Sequence, residues 1–124
     1  MAIGVQGNVE GLGLDALGVR YERGLIEVDE HYKTSADGIY AIGDITGRQQ
    51  LAHVASHEGV ICAEFIAGQK PHSMNYENIP GCTYCTPQVG SVGLTEKLAK
   101  ERGLDVKVGR FNYAANGKAL AAGE

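Results

Sequence analysis

Thr34-Ser35-Ala36-Asp37-Gly38-Ile39-Tyr40-Ala41-Ile42-Gly43-Asp44 is the segment around which the rest of the chain has to arrange itself. Within it, Ile39-Tyr40-Ala41-Ile42 is continuously apolar and bounded by Gly38 and Gly43, which predicts a strand buried on both faces. That strand ends in Gly43-Asp44, and a helical pattern begins a few residues later, near Leu51. In open α/β sheets, ligands bind beyond the carboxyl ends of the strands. A carboxylate held there by a glycine turn can accept hydrogen bonds from ligand hydroxyls, and the following helix aims its positive end into the same crevice. The alternative for the same residues is an aspartate that caps an ordinary turn.

Working outward toward the N-terminus, Gly24-Leu25-Ile26-Glu27-Val28-Asp29 alternates apolar with polar residues and reads as a strand with one wet face. Residues 1–20 are glycine-rich and irregular, with a short helical turn at Leu14-Asp15-Ala16-Leu17 that ends at Gly18. Toward the C-terminus, Leu51, Ala55, Gly59, Cys62 and Ile66 recur at helical spacing and predict one packing stripe over residues 51–68. Gly68 supplies a stop, with Pro71 just beyond. Residues 71–80 are polar, proline-flanked and without period, and mark a domain boundary. After it come strands near residues 83–86 and 89–92 and a helix capped by Thr95, with Glu96 in its first turn. Gly103 ends that helix, and Val106-Lys107-Val108 begins a third strand, for a β-β-α-β order without an evident closing element. Each half lacks some of the layers that a closed core requires.

Composition bounds the function classes. The chain has 124 residues with a formal net charge of −4, so it carries no general attraction for nucleic acid or anionic membranes. Hydrophobic residues make up 44 % and charged residues 21 %, an ordinary globular balance. No apolar run approaches the roughly 18 residues of a membrane span, and the opening residues show no secretion signal. Three cysteines do not form a disulfide framework, which points to a reducing, cytoplasmic setting. The 18 glycines are about twice the usual share and stand singly, as in α/β proteins that approach a cofactor closely.

Three further motifs have plainer readings. Gly11-Leu12-Gly13-Leu14-Asp15-Ala16 matches a permissive dinucleotide pattern, but no buried strand leads into it, so a glycine-rich turn is the better account. Cys82 and Cys85 are too few for a structural zinc site. On a strand they would face opposite ways, about 10 Å apart, so they are read as packing residues. His53 and His57 stand four apart on the helix, yet Val54 occupies the place where a metalloprotease motif needs glutamate. A half-exposed helix face explains the pair without a metal.

The segment ending in Gly43-Asp44 closely resembles the second flavin-binding motif of the FAD-dependent pyridine nucleotide–disulfide oxidoreductases, with Thr34, Tyr40, Ala41, Gly43 and Asp44 in register. Leu51-Ala52-His53 with Glu58-Gly59 is similar to the helix that follows this motif. Thr83-Tyr84-Cys85-Thr86-Pro87-Gln88-Val89, Val92-Gly93-Leu94-Thr95-Glu96 and Ala115-Asn116-Gly117-Lys118-Ala119-Leu120 look like the opening of the family's interface domain. The resemblance covers nearly the whole chain. It implies an α/β fold, with residues 1–72 the end of a Rossmann-like FAD/NAD-binding region and residues 73–124 the first half of an α+β dimerisation domain. It further implies that Asp44 holds the ribityl chain of FAD and that Gln50, Leu51, Ala52 and His53 form the turn facing the isoalloxazine ring. There the dipole of the next helix would favour an anionic reduced flavin. Gly4, in Ala2-Ile3-Gly4, matches the end of a strand where the family contacts NAD, although Val5-Gln6-Gly7-Asn8 departs from the usual continuation.

Within the family the chain looks most like the branch that oxidises dihydrolipoamide carried on the lipoyl-bearing subunit of a 2-oxo acid dehydrogenase complex. Such an enzyme works as a homodimer and passes electrons through a disulfide and FAD to NAD. The family's N-terminal flavin loop, its NAD loop, its redox cysteine pair and its catalytic His-Glu pair are all missing from the 124 residues. The chain is therefore expected to be an internal fragment, contributing no catalytic residue and inactive alone. Competing expectations are another flavin disulfide reductase, of the glutathione or mercuric type, and a stand-alone dimerisation module.

Overall fold

A computed structural model describes residues 3–123. The chain divides into two compact units, Met1–Tyr76 and Glu77–Glu124. The division falls after Tyr76, inside the polar stretch and a little beyond residue 72.

The first unit opens with α1 (Leu14–Leu17), a single turn between Gly13 and Gly18, both left-handed with φ of 68° and 71°. It is the glycine-rich turn expected there. Next come β1 (Tyr21–Glu22) and β2 (Leu25–Ile26), a two-stranded antiparallel hairpin. Only two residues of the expected strand at 24–29 are therefore laddered. Leu14, Val19 and Ile26 form one small core, with Val9, Val28, Ala36, Ile39, Ala41 and Ile45 against it.

Residues 39–42 depart from the expected doubly buried strand. They are extended, but their ladder is one antiparallel bridge between Lys33 and Tyr40. It is flanked by Thr34 N–H to the Ile39 carbonyl at 2.9 Å and Ala41 N–H to the Tyr32 carbonyl at 3.0 Å. Ile42 is 39 % exposed, and no further strand among the described residues pairs with this run. Both sheets among the described residues are two-stranded and antiparallel. Thr34 is buried and closes the loop: its hydroxyl reaches the Ala36 and Ile39 carbonyls, at 3.2 and 2.9 Å.

α2 (Ala52–Ile66) is the longest element. Its buried residues are Val54, Glu58, Ile61 and Cys62, a stripe turned away from the one expected from Leu51, Ala55, Gly59, Cys62 and Ile66. Ile66 is 58 % exposed. The small residues instead permit close approach at the side: a Cβ on Gly59 would stand 3.3 Å from Ile42 Cδ1. Tyr32, Ile61 and Cys62 form the second core, joined by Val28, Tyr40 and Met74.

The second unit contains the antiparallel hairpin β3 (Gly81–Thr83) and β4 (Val89–Ser91), then α3 (Glu96–Glu101) and α4 (Gly117–Ala122). Thr95 caps α3 as expected, its hydroxyl accepting from Leu98 N–H at 3.2 Å. Residues 106–108 form no strand and have no ladder partner among the described residues. α4, capped by the Asn116 side chain, closes the chain in their stead. Ala99 and Ala119 are the buried hydrophobics of this unit, whereas Tyr84, Val92, Phe111, Tyr113 and Leu120 are well exposed. So thin a core leaves most of the unit's apolar surface facing solvent. Cys82 and Cys85 are exposed free thiols, which corrects their reading as packing residues; only Cys62 packs. Once β3 ends at Thr83, Cys85 leaves the strand and no interior lies behind it.

Candidate functional site

Asp44 lies in a 3-10 turn, Gly43–Thr46, that directly follows the extended run 39–42. Gly43 and Gly47 flank it with φ of 75° and 69°, so the chain reverses sharply at both ends of the turn. Thr46 Oγ1 donates to the Gly43 carbonyl at 2.9 Å, and Gly47 N–H to the Asp44 carbonyl at 3.1 Å. The Asp44 side chain is exposed. Gln50, Ala52 and His53 are also exposed, and Leu51 is half-buried as the extended residue before α2. No side chain caps α2, and its first turn holds no acidic residue. The Val54 and Ala55 amides both donate to the Leu51 carbonyl at 3.0 Å, so the helix starts on a backbone cap and directs its positive end past residues 50–53.

The turn packs against α2, with the Gly43 Cβ position 3.3 Å from Ala55 Cβ. The turn that carries Asp44 thus lies against the first half of α2, the helix that residues 50–53 lead into. Gly4 is exposed, with φ of 105°, and Ala2 lies outside the described residues. His53 and His57 are both exposed, and no group of three metal-ligating side chains occurs among the described residues.

What holds the Asp44 turn is a buried polar network. Glu58 is fully buried on α2. One carboxylate oxygen accepts from Gly43 N–H at 2.7 Å and the other from the Tyr76 hydroxyl at 2.6 Å. Arg48 donates to the Tyr76 hydroxyl at 3.0 Å and to the Val28 and Asp29 carbonyls at 3.2 and 2.9 Å. Its guanidinium lies 5.3 Å from the centre of the Tyr32 ring and the same distance from that of Tyr76. The Tyr32 and Tyr76 hydroxyls are 3.2 Å apart. Tyr76 has one proton and gives it to Glu58, so Tyr32 is the donor between them. Every lone pair of the Tyr76 oxygen is then used. No buried side-chain nitrogen or oxygen among the described residues lacks a partner.

Electrostatics follow the geometry. Burial raises the Tyr32 pKa, helped by its hydrogen bond to Tyr76. Tyr76 is raised too, first by burial, against the lowering effect of Arg48. Burial disfavours the Arg48 charge, but Tyr76, Tyr32 and Glu58 outweigh it and raise the Arg48 pKa. An open cleft of about 710 Å³ borders this network, lined by Arg48, Gln49, Gln50, Tyr76 and neighbouring residues of the first unit.

Sequence patterns did not reveal the network. Glu58 had one signal, a carboxylate at helical spacing with Val54, Ile61 and Cys62, where an acidic side chain belongs only if it is paired. Arg48 and Tyr76 had none, being joined to their partners across 18 or more residues of chain.

The family model of the pyridine nucleotide-disulphide oxidoreductases matches residues 1–59, and that of the same family's dimerisation domain matches residues 79–124. The dihydrolipoyl dehydrogenase of Rhizobium etli is 60 % identical over 124 residues, covering 99 % of this chain and 26 % of the relative. Those of Zymomonas mobilis and Bacillus subtilis are 56 % and 49 % identical, covering 99 % and 100 % of the chain and 27 % and 26 % of the relatives. The chain spans about a quarter of the length of the curated relatives it matches. Among solved structures, LpdA from Mycobacterium tuberculosis aligns with a TM-score of 0.88 at 27 % identity, over 99 % of this chain and 27 % of that one. The HOCl-induced flavoprotein disulfide reductase RclA from Escherichia coli aligns with a TM-score of 0.85 at 31 % identity, over 98 % and 28 %. Two matches to one family, in chain order and at these identities, identify the chain as a member of the pyridine nucleotide-disulphide oxidoreductases.

Proposed function

We propose that this chain is the flavin-contacting and interface-forming portion of a dihydrolipoyl dehydrogenase, and that Asp44 is its principal contact to FAD. The observation that carries the reading is an exposed carboxylate on a turn pinned from behind by a buried one, beside a helix start that no side chain caps. Asp44 offers acceptors to sugar-alcohol hydroxyls, and the positive end of the α2 dipole favours an electron-rich ring edge, so the site fits a flavin nucleotide. Gln50, Leu51, Ala52 and His53 would border the ring, and Gly4 would contact NAD. When bound, the flavin supplies two-electron transfer between a dithiol and NAD. This chain's residues bind, orient and exclude water.

In this reading residues 1–72 end the nucleotide-binding region, and residues 73–124 begin a homodimer interface. The exposed apolar side chains of the second unit supply surface for that contact. The whole protein would act in the cytoplasm on a lipoyl-bearing subunit of a 2-oxo acid dehydrogenase complex. Among the described residues no helix is long and apolar enough to cross a membrane. The likeness to RclA favours a second reading, another flavin disulfide reductase. Purified full-length protein separates the two. NAD reduction driven by dihydrolipoamide supports the first, whereas no dihydrolipoamide oxidation together with NAD(P)H-dependent reduction of another disulfide or of a metal ion overturns it.

A further inference from the structure

We infer that Glu58 is a positioning residue for the flavin contact: through the Gly43 amide it sets the direction in which Asp44 points. The inference rests on the flavin reading of Asp44. Glu58 lies on α2, fully buried, fifteen residues from the glycine it holds. Gly43 is the residue at which the extended run breaks into the Asp44 turn, with φ of 75°. Its N–H is fixed by the 2.7 Å bond to Glu58, and its carbonyl by Thr46. The peptide unit before Gly43 is therefore held by Glu58 and the one joining Gly43 to Asp44 by Thr46, which leaves the Asp44 Cα–Cβ direction little freedom.

The second Glu58 oxygen is held by Tyr76, whose oxygen in turn accepts from Arg48 and Tyr32. Arg48 is anchored to two carbonyls of the segment after β2. The carboxylate is thus tied to three separate parts of the first unit before it meets Gly43, a rigid support of the kind that keeps a binding group at its working geometry. A buried carboxylate serving only to fill space on an apolar helix face would cost more than an apolar side chain of its size. Asp44 itself touches none of these groups through its side chain; the influence runs through the backbone.

The test is a double-mutant cycle on FAD affinity in the full-length flavoprotein. Glu58→Gln keeps an acceptor for one donor but loses the charge, and should weaken FAD binding about tenfold. Asp44→Asn alone should weaken it by a similar or larger factor. In the Asp44→Asn background, Glu58→Gln should then change the dissociation constant less than about twofold, because the contact it directs is already degraded. If instead the two losses multiply, Glu58 acts on the fold in general and the positioning role is overturned. If Asp44→Asn alone leaves FAD affinity unchanged, the flavin reading fails, and this inference with it. Should Glu58→Gln not fold, Tyr76→Phe enters the same cycle: it removes the hydroxyl from Glu58 but keeps the ring against Arg48. Its expected loss is smaller, about threefold, and it should likewise vanish in the Asp44→Asn background.

Discussion

Replacing Arg48 by alanine is the perturbation that best tests whether the polar network holds the Asp44 turn. Three acceptors lose a cationic donor: the Tyr76 hydroxyl and the carbonyls of Val28 and Asp29, at 3.0, 3.2 and 2.9 Å. Two aromatic rings also lose the guanidinium 5.3 Å from their centres. A hydrogen bond from a charged donor contributes about 1.5–3 kcal/mol, and a cation over a ring about 0.5–1 kcal/mol. The Asp29 carbonyl is exposed and regains water at once, so it drops out. Two part-buried bonds at the low end of the range leave about 3 kcal/mol, and partial rehydration of the cleft brings this to about 2 kcal/mol. That is roughly a 30-fold shift in a local opening equilibrium. Amide hydrogen exchange on the full-length protein, resolved by peptide, reads it directly. Peptides covering residues 28–34 and 39–47 should exchange about 30-fold faster, while those covering α1 and the β1–β2 hairpin stay unchanged. Equal exchange across residues 39–47 in the variant and the parent would refute the idea that the network holds the turn.

Other consequences follow from single sites. Spectrophotometric titration should find Tyr21, Tyr32 and Tyr76 ionising above the ordinary value of 10.0, Tyr21 because it faces Asp15, and Tyr32 and Tyr76 because they are buried. A raised folded-state pKa in an acid means stabilisation that is present below pH 10 and lost as pH climbs through the folded value. All six tyrosines titrating together near 10 would contradict this. Thiol labelling of the 124-residue chain should modify exposed Cys82 and Cys85 much faster than Cys62, whose pKa burial raises; equal rates would show that the second core is open. Gly47→Ala should destabilise the first unit by about 2 kcal/mol or more. The residue has φ of 69°, and its new Cβ would stand 2.6 Å from Leu25 Cδ1. An unchanged urea midpoint would count against that turn geometry.

Local signals were well expressed in the sequence. Gly13 and Gly18 bracket α1, Thr95 opens α3, and the Gly43-Asp44 break appears where an apolar run ends. These features depend on residues within one turn of each other, and backbone preferences alone specify them. The stripe of α2 was misplaced because Ala55 and Gly59, though small, sit at close approaches along the flank, while Glu58 occupies the buried face. An apolarity count cannot choose a carboxylate for the interior; only its partners Gly43 and Tyr76, distant in sequence, make that position favourable. Residues 39–42 have the composition of a central strand, yet among the described residues their ladder is a single bridge, and apolarity alone does not supply a partner strand. The 106–108 run failed as a strand for a related reason: alternation proposes a ladder, and a partner has to be present to form it.

If the Asp44 carboxylate grips FAD, the flavin content of the full-length Asp44→Ala protein will show it. After dialysis, the variant should lose its yellow absorbance and need about 10- to 100-fold more FAD to recover it, the loss expected for hydrogen bonds to a charged acceptor. A variant that stays fully flavinated, with parental affinity on titration, would contradict it.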